Sequence, residues 1–278
     1  AGMAIGLAAI AYGFVFAGAA WTWGAILVAI VYGLAIGQGG VMFSVILTGT
    51  WARWGRPLKR IAEIFAFSLP AVYVLLLIFV VMGNGIYAWN PDTILSTGPV
   101  DLAPHSPEAI ASKAFWLSKP FFIVRQALAV GLLLALDFVY VRASLRPDLI
   151  AAARRLKDTG KEVPAWWGYV TGGAGSIDNE VEASAKRQAL FVPLLGFAYA
   201  IIFSLIAYDL IMSLSPWWYS NMFGGWFFAS SVWLALAALG LTAMLARDWL
   251  DLGEWVKPSV THDLGKLLLA FCMFWAYT

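Results

Sequence analysis

Long apolar stretches separated by short polar segments dominate the chain. A helix needs about 20 apolar residues to cross a bilayer, and seven stretches reach or approach that length. These stretches are residues 1–20, 23–49, 61–82, 116–141, 188–213, 221–246 and 264–278. The pattern predicts an all-α polytopic membrane protein with at least seven transmembrane helices in a single domain, 1–278. Both ends fall inside apolar stretches, so we expect this domain to be truncated at both ends.

The basic residues predict the orientation of these helices. Fifteen of the 18 lysines and arginines fall in segments 51–60, 142–187 and 247–266, which share one side if every stretch crosses. Loops rich in lysine and arginine remain cytoplasmic. We therefore expect 143–186 to be a cytoplasmic loop, with an amphipathic segment on the membrane surface and a flexible Gly-rich linker, and 83–114 to be a periplasmic loop.

Composition limits the classes of function. Hydrophobic residues make up 62% of the chain and charged residues 12%, while a net charge of +2 gives no reason to expect nucleic acid as a partner. The single cysteine, Cys272, and the two histidines, His105 and His262, cannot supply an iron–sulfur cluster, a structural zinc site or a pair of haem ligands within the predicted spans. The sequence therefore predicts no cofactor in this chain.

Small residues in the second stretch leave two interpretations open. Gly33, Gly37 and Gly40 surround Gln38, and small residues about four apart let membrane helices approach closely. In the alternative, Gln38 and Ser44 form a polar surface that faces water or lipid headgroups.

Four ionisable residues lie at membrane depth, where a charge costs about 3 kcal/mol on insertion scales and normally has a partner. Arg125 and Asp209 are each about 10 Å from the predicted outer boundary, by the helical rise per residue. Their matched depth predicts an ion pair. Glu63 and Asp137 fall near the inner boundary.

These residues support either a structural role or a proton path. In the structural interpretation, Arg125 and Asp209 pair while the two inner acids neutralise the basic rim. In the other, the acids relay protons with help from neighbouring polar side chains. A carboxyl relays protons only if it is not held ionised by a partner, so Asp137 is the better relay and Asp209 the better ion-pair member. The proton-pathway candidates are Asp137, Glu63, Asp209, Tyr208, Arg125 and His262, with Ser204, Gln126 and Ser68 as further intermediates.

Three segments carry a resemblance to a known family. They are "TWARWGRPLKRIAEIFAFSLP" at 50–70, "YDLIMSLSPWWYSNMFGGWFFASS" at 208–231 and "THDLGKLLLAFCMFWAYT" at 261–278. Together they resemble the ActF subunits of alternative complex III, which are NrfD-like membrane proteins related to the polysulfide reductase anchor. The family block carries an acidic residue where this chain has Ser215 and a histidine where it has Trp217.

The resemblance implies NrfD-like helical bundles with about ten helices in the full chain, in the bacterial inner membrane. It implies a non-catalytic subunit of a quinol-oxidising electron-transfer complex, whose role is to hold the assembly together or to carry protons. The expected partners are a multihaem cytochrome c, an iron–sulfur subunit, a sister NrfD-like quinol-binding subunit, lipids and the quinol pool. Haem c and iron–sulfur clusters are expected only in those partner subunits.

Two other functions remain open at this point. The chain could itself bind quinol at the outer interface, where Tyr219, Asn221 and Arg125 supply polar groups. It could instead be an independent secondary transporter, a class that uses broken helices at mid-membrane. The helix breakers inside the predicted spans are Pro70, Pro193 and the glycines of the second stretch.

Overall fold

A computed structural model describes residues 2–95 and 113–278, and the secondary structure of these residues is helical. The α-helices are α1 (Gly2–Tyr12), α2 (Ala19–Gly49), α3 (Arg56–Ile64), α4 (Leu69–Ile78), α5 (Lys119–Asp158), α6 (Ile177–Ile206), α7 (Phe223–Leu245) and α8 (Pro258–Tyr277). A short turn of helix, Gly168–Thr171, lies between α5 and α6. Asp101, His105 and Glu108, in the predicted outer loop, lie outside the described residues.

Short 3-10 and π turns join or extend the α-helices into longer continuous helical segments, here called rods. Two long rods are formed in this way. The 3-10 turn Phe65–Ser68 joins α3 to α4, and a π turn at Phe79–Gly83 with a 3-10 turn at Asn84–Ile86 carries the same rod onward. Beyond α6, the π turn Ala207–Ile211 is followed by the 3-10 turn Met212–Leu214. Such irregular turns inside long helices are frequent at functional sites.

Five rods in the described residues are long and apolar enough to cross a membrane: Ala19–Gly49, Arg56–Ile86, Lys119–Asp158, Ile177–Leu214 and Phe223–Leu245. They correspond to the five central predicted stretches, so the chain has the helices of a multi-pass membrane protein. The predicted count of at least seven spans is not confirmed.

Each terminal stretch falls short for a physical reason. The first gives only a shorter apolar helix, Ala4–Ala17, which ends at Gly18 with a positive φ of 90° before α2 begins. The last lies in α8, where Asp263 and Lys266 lower the hydropathy of a 20-residue helix.

Helix α5 extends far into the segment predicted to be a loop. It runs for 40 residues, through Pro147, to Asp158. Proline lacks the N–H that would bond the carbonyl four residues earlier, which here belongs to Ala143. The Ser184 hydroxyl of α6 donates a hydrogen bond of 2.7 Å to that carbonyl. Because this bond replaces the missing one, the helix continues past its proline.

The Gly-rich linker that follows is attached to α5. Arg146 forms a salt bridge of 2.7 Å with Glu180 and donates to the carbonyl of Gly172 at 3.2 Å. Arg154 donates to the carbonyl of Gly175 at 2.6 Å. These bonds fix the position of a segment whose composition predicted a flexible linker.

The glycines of α2 are positions of close helix approach, as the first interpretation predicted. A Cβ added at Gly33 would lie 2.7 Å from Val72 on α4, and one at Gly40 would collide with the carbonyl oxygen of Ala62 on α3. On another side of α2, a Cβ at Gly39 would lie 2.8 Å from the carbonyl oxygen of Ser231 on α7. Helix α2 is therefore the central element against which α3, α4 and α7 pack.

Two of the basic segments meet at one end of the bundle. Arg60 bonds Asp148 at 2.7 Å, and Lys59 donates to Gln188 at 2.7 Å. These contacts agree with the prediction that 51–60 and 142–187 share a side. Which side of the membrane this is stays a prediction.

We predict that Gly40→Ala lowers the stability of the bundle by about 1–3 kcal/mol, the usual cost of overpacking a well-packed interior. The added methyl would displace α3, because its nearest neighbour is a backbone carbonyl rather than a flexible side chain. Gly24→Ala is the matched control, since a Cβ at Gly24 in the same helix meets nothing within 4 Å. Thermal unfolding in detergent, followed by tryptophan fluorescence, measures both. Equal melting temperatures for the two variants would contradict the assignment of α2 as the central contact helix.

Candidate functional site

The three acids predicted at membrane depth are all buried. Glu63 is 1% exposed, Asp137 is 1% exposed and Asp209 is fully buried. Since a buried carboxylate is costly without partners, the contacts of each acid indicate what it can do. The structure gives the three acids different surroundings.

Asp209 forms the predicted ion pair with Arg125. The Arg125 Nε donates to Asp209 Oδ2 at 2.7 Å, and Gln126 Nε2 donates to the same oxygen at 2.5 Å. The indole N–H of Trp116 donates to Oδ1 at 2.9 Å. Both carboxylate oxygens are therefore bonded, and the prediction of an Arg125–Asp209 pair is confirmed.

Aromatic rings enclose the cation of this pair. The guanidinium carbon of Arg125 lies 4.0 Å from the ring centroid of Trp116 and 4.6 Å from that of Phe121. Arg125 also donates to the carbonyl oxygen of Trp116 at 3.0 Å. Trp116 thus contacts both members of the pair, and cation–π contacts of this kind are strongest when water is excluded.

The π turn places Asp209 where α5 can reach it. A π turn shifts the pattern of backbone hydrogen bonds, and two hydroxyls bond carbonyls of this turn. The Ser213 hydroxyl donates to the carbonyl of Asp209 at 2.5 Å, and the hydroxyl of Tyr87 donates to that of Leu210 at 3.0 Å. These bonds stabilise the irregular backbone that carries the acid.

Glu63 forms a second cluster at the basic end of the bundle. Its Oε2 accepts a hydrogen bond of 2.5 Å from Arg60, and its Oε1 accepts one of 2.7 Å from each of Ser44 and Ser144. Arg60 in turn donates to the Ser144 hydroxyl at 2.6 Å. This cluster joins α2, α3 and α5, and the structure confirms that Glu63 is paired with a basic residue.

A chain of hydroxyl groups leads from Glu63 toward the surface. Ser44 and Tyr140 share a hydrogen bond of 3.1 Å, and Tyr140 and Thr48 share one of 2.9 Å. Lys59 donates to Thr48 at 3.1 Å. Hydroxyls can both donate and accept, so this chain provides continuous contact between the buried acid and Lys59.

Asp137 differs from the other two acids. It accepts a hydrogen bond from the side-chain N–H of Gln38 on its Oδ2. Its Oδ1 accepts no hydrogen bond from the described residues, and it forms no salt bridge with a lysine or arginine among them. Gln38 therefore contacts a buried acid, not water or a lipid headgroup, and the idea that Asp137 pairs with the basic rim is wrong.

Other predicted residues form no hydrogen bond with the three acids in the described part of the chain. The Tyr208 hydroxyl donates to the carbonyl of Asn221 at 3.1 Å, and His262 is exposed on the first turns of α8. Ser68 is exposed and bonds the carbonyl of Phe65 in its own rod, so it is not part of a path between the acids. Of the three further intermediates, Gln126 alone contacts one of the three acids.

Sequence reasoning missed two members of the Glu63 cluster. Tyr140 and Ser144 follow Asp137 at steps of three and four residues, a helical spacing that places them on one face of α5 with the acid. That helical spacing could have predicted that Tyr140 and Ser144 lie beside the buried acids. Trp116 precedes the start of α5, and no periodicity predicts its contact with Asp209.

Asp209, Arg125, Gln126 and Trp116 form a cluster, here called the Asp209 cluster. A cavity of about 340 Å³ lies beside it. It is lined by Lys113, Trp116, Tyr208, Trp218 and Tyr219, among others. Tyr219 is the one member of the predicted quinol-binding set that lines it. Arg125 is buried in its ion pair, and Asn221 is exposed outside the lining.

Among residues 2–95 and 113–278, no group of three His, Cys, Asp or Glu side chains is arranged to hold a metal ion. The expectation that the chain carries no cofactor stays a prediction. No family model matches the chain, and a search of curated proteins finds no match.

We predict that Arg125 and Asp209 are energetically coupled. Asp209→Asn should destabilise the protein by about 3–5 kcal/mol, because it leaves a buried arginine without its counter-charge. Adding Arg125→Met should recover part of this loss, with a coupling of about 0.5–3 kcal/mol. Unfolding in detergent micelles of the two single variants and the double variant measures this coupling.

The salt bridge between Lys186 and Glu182 provides the matched control. Its distance is also 2.7 Å, but both side chains are exposed. Exposed pairs contribute little, so the same three variants of this pair should show almost no coupling. Strictly additive effects at Arg125 and Asp209 would contradict the prediction.

Proposed function

We propose that this chain is a membrane subunit of a quinol-oxidising electron-transfer complex of the alternative complex III type, in a bacterial inner membrane. In this role it carries no redox cofactor, supports assembly of the complex and takes part in proton translocation. The electrons pass through haem c and iron–sulfur clusters of partner subunits. A sister NrfD-like subunit binds the quinol.

The resemblance of three segments and the arrangement of buried polar groups support this proposal. Ion pairs near both ends of the bundle hold the helices together, which suits a subunit that supports a larger assembly. The Asp209 cluster joins α5 to the rod that continues α6. The Glu63 cluster joins α2, α3 and α5 at the other end.

One observation carries the proton-handling part of the proposal: the isolation of Asp137 from any described cation. Glu63 and Asp209 cannot take up a proton without weakening a salt bridge with arginine. Within the described part of the chain, the single hydrogen-bond partner of the Asp137 carboxyl is the neutral Gln38. It can therefore change its protonation state without breaking an ion pair, and ionisable residues at this depth often mark proton routes.

We predict that the tagged chain co-purifies with haem c and iron–sulfur polypeptides after extraction in a mild detergent. Visible and electron paramagnetic resonance spectra of the purified material detect both kinds of centre. A tagged, unrelated multi-pass protein from the same membranes controls for nonspecific co-purification. Recovery of the chain as a stable, colourless monomer that oxidises quinol by itself would count against the proposal.

We predict that Asp137→Asn lowers the number of protons translocated per electron. An amide can still accept the hydrogen bond from Gln38, but it neither binds nor releases a proton. Proton uptake and electron transfer are measured together in vesicles that contain the intact complex. Asp263→Asn, which removes an acid near the surface on α8, is the control and should leave the ratio unchanged. An unchanged ratio and rate for Asp137→Asn would leave Asp137 with a structural role.

The cavity beside the Asp209 cluster favours a second candidate function, in which this chain binds quinol itself. Its volume of about 340 Å³ and its aromatic lining suit a flat ring. Tyr219, which lines the cavity, supplies a hydroxyl. A photoreactive quinone that labels peptides around Tyr219 would favour this alternative, whereas labelling confined to another polypeptide would remove it.

A further inference from the structure

A second cavity, of about 200 Å³, lies at the basic end of the bundle between the end of α2, the start of α3 and α6. Its polar lining consists of Thr48, Arg56, Lys59 and Gln188, and Trp51 contributes an aromatic ring. The remaining lining residues are Leu47 and three alanines, so among the described residues two cations and no acid face this space. The lining is therefore complementary to an anion.

Hydrogen bonds fix the ammonium group of Lys59 within this lining. It donates to Thr48 at 3.1 Å and to Gln188 at 2.7 Å, and Gln188 is itself held by a bond of 2.9 Å to Ser184. Glu63, the nearest acid in 2–95 and 113–278, is 4.0 Å away and already pairs with Arg60 at 2.5 Å. An ammonium has three donors, so one N–H of Lys59 remains for an anion in the cavity.

The backbone at the edge of the cavity is in a disfavoured conformation. Trp51 has a φ of 56°, in the left-handed region that helix ends normally fill with glycine. Its side chain is 85% exposed. An observed outlier of this kind is a reason to look for function, and tryptophan, like tyrosine, is enriched at membrane–water interfaces.

An apolar surface continues from the cavity along α6. Residues Ala185 and Ala189 line the cavity, and Pro193, Phe197 and Ile201 follow them at steps of four residues. All five are exposed, and residues four apart in a helix are neighbours, so the five form a continuous ridge that turns by about 40° per step around α6. This surface lies on a rod that is apolar enough to cross a membrane. An anion bound in the cavity would thus have an apolar surface directly beside it.

We propose that this cavity binds the phosphate group of an anionic phospholipid, with an acyl chain along the exposed face of α6. Lys59 and Arg56 bind the phosphate, and Trp51 covers the glycerol region at the interface. The adjoining apolar face selects a lipid over free phosphate. Basic sites between helices are a common mode of lipid-headgroup recognition.

The test uses the intact protein in mild detergent with its accompanying polypeptides, titrated with phosphatidylglycerol or phosphatidylcholine. Native mass spectrometry counts the lipids retained. We expect retention of phosphatidylglycerol in preference to phosphatidylcholine, and an affinity for it about fivefold lower in Arg56→Gln, the effect of one basic residue near an anionic headgroup. Arg56 is exposed, so its loss should not affect folding.

Two further variants keep the proposal falsifiable. Arg247→Gln removes one exposed cation that does not line the cavity, and it should leave the affinity unchanged. Ala189→Trp fills the cavity without changing charge, and it should abolish the preference for phosphatidylglycerol. Equal retention of the two lipids, or equal effects of Arg56→Gln and Arg247→Gln, would overturn the proposal. Displacement of the lipid by an equal concentration of inorganic phosphate would also overturn it, in favour of a free-anion site.

Discussion

The cost of a polar group that lacks a partner in hydrocarbon is the constraint on which this structure depends. Water cannot satisfy such groups at membrane depth, so the protein must. Glu63 is satisfied only when α2, α3 and α5 come together, because its partners Ser44, Arg60 and Ser144 lie on those helices. Each buried acid therefore specifies which helices are neighbours, in addition to any chemistry it performs. Apolar contacts alone would define the neighbouring helices less strictly, because the apolar surfaces of membrane helices resemble one another.

The same constraint applies to the backbone. The proline in α5 releases the carbonyl of Ala143, and Ser184 on α6 satisfies it. The π turn that carries Asp209 is likewise bonded by hydroxyls from Ser213 and Tyr87. Irregular backbone is tolerated in a membrane only where protein groups satisfy it. These bonds satisfy the carbonyls that the proline in α5 and the π turn beyond α6 leave available.

The sequence predicted the features that follow from hydropathy and charge. Five central helices follow from apolar length, and the pairing of Arg125 with Asp209 follows from opposite charge at matched depth. The sequence could not predict the features that depend on contacts between residues far apart along the chain. The segment after residue 142 reads as a polar loop, yet Ser184 and Glu180 bond it into a helix and an ordered turn. The contact of Asp137 with Gln38 is equally invisible in the sequence, because it depends on which side chains fill the space around the acid.

Helix α5 carries Arg125, Asp137 and Ser144 on one backbone that holds no proline between its first turn and Pro147. The helix between Arg125 and Ser144 is about 28 Å long, by the 1.5 Å rise per residue. A continuous helix of this kind moves as a nearly rigid body, so it links the positions of Arg125 and Ser144. Any sliding or rotation that withdrew Ser144 from Glu63 would also strain the contact of Arg125 with Asp209. Helix α5 therefore couples the two polar clusters, so a displacement of this helix at one end of the bundle is transmitted to the other end.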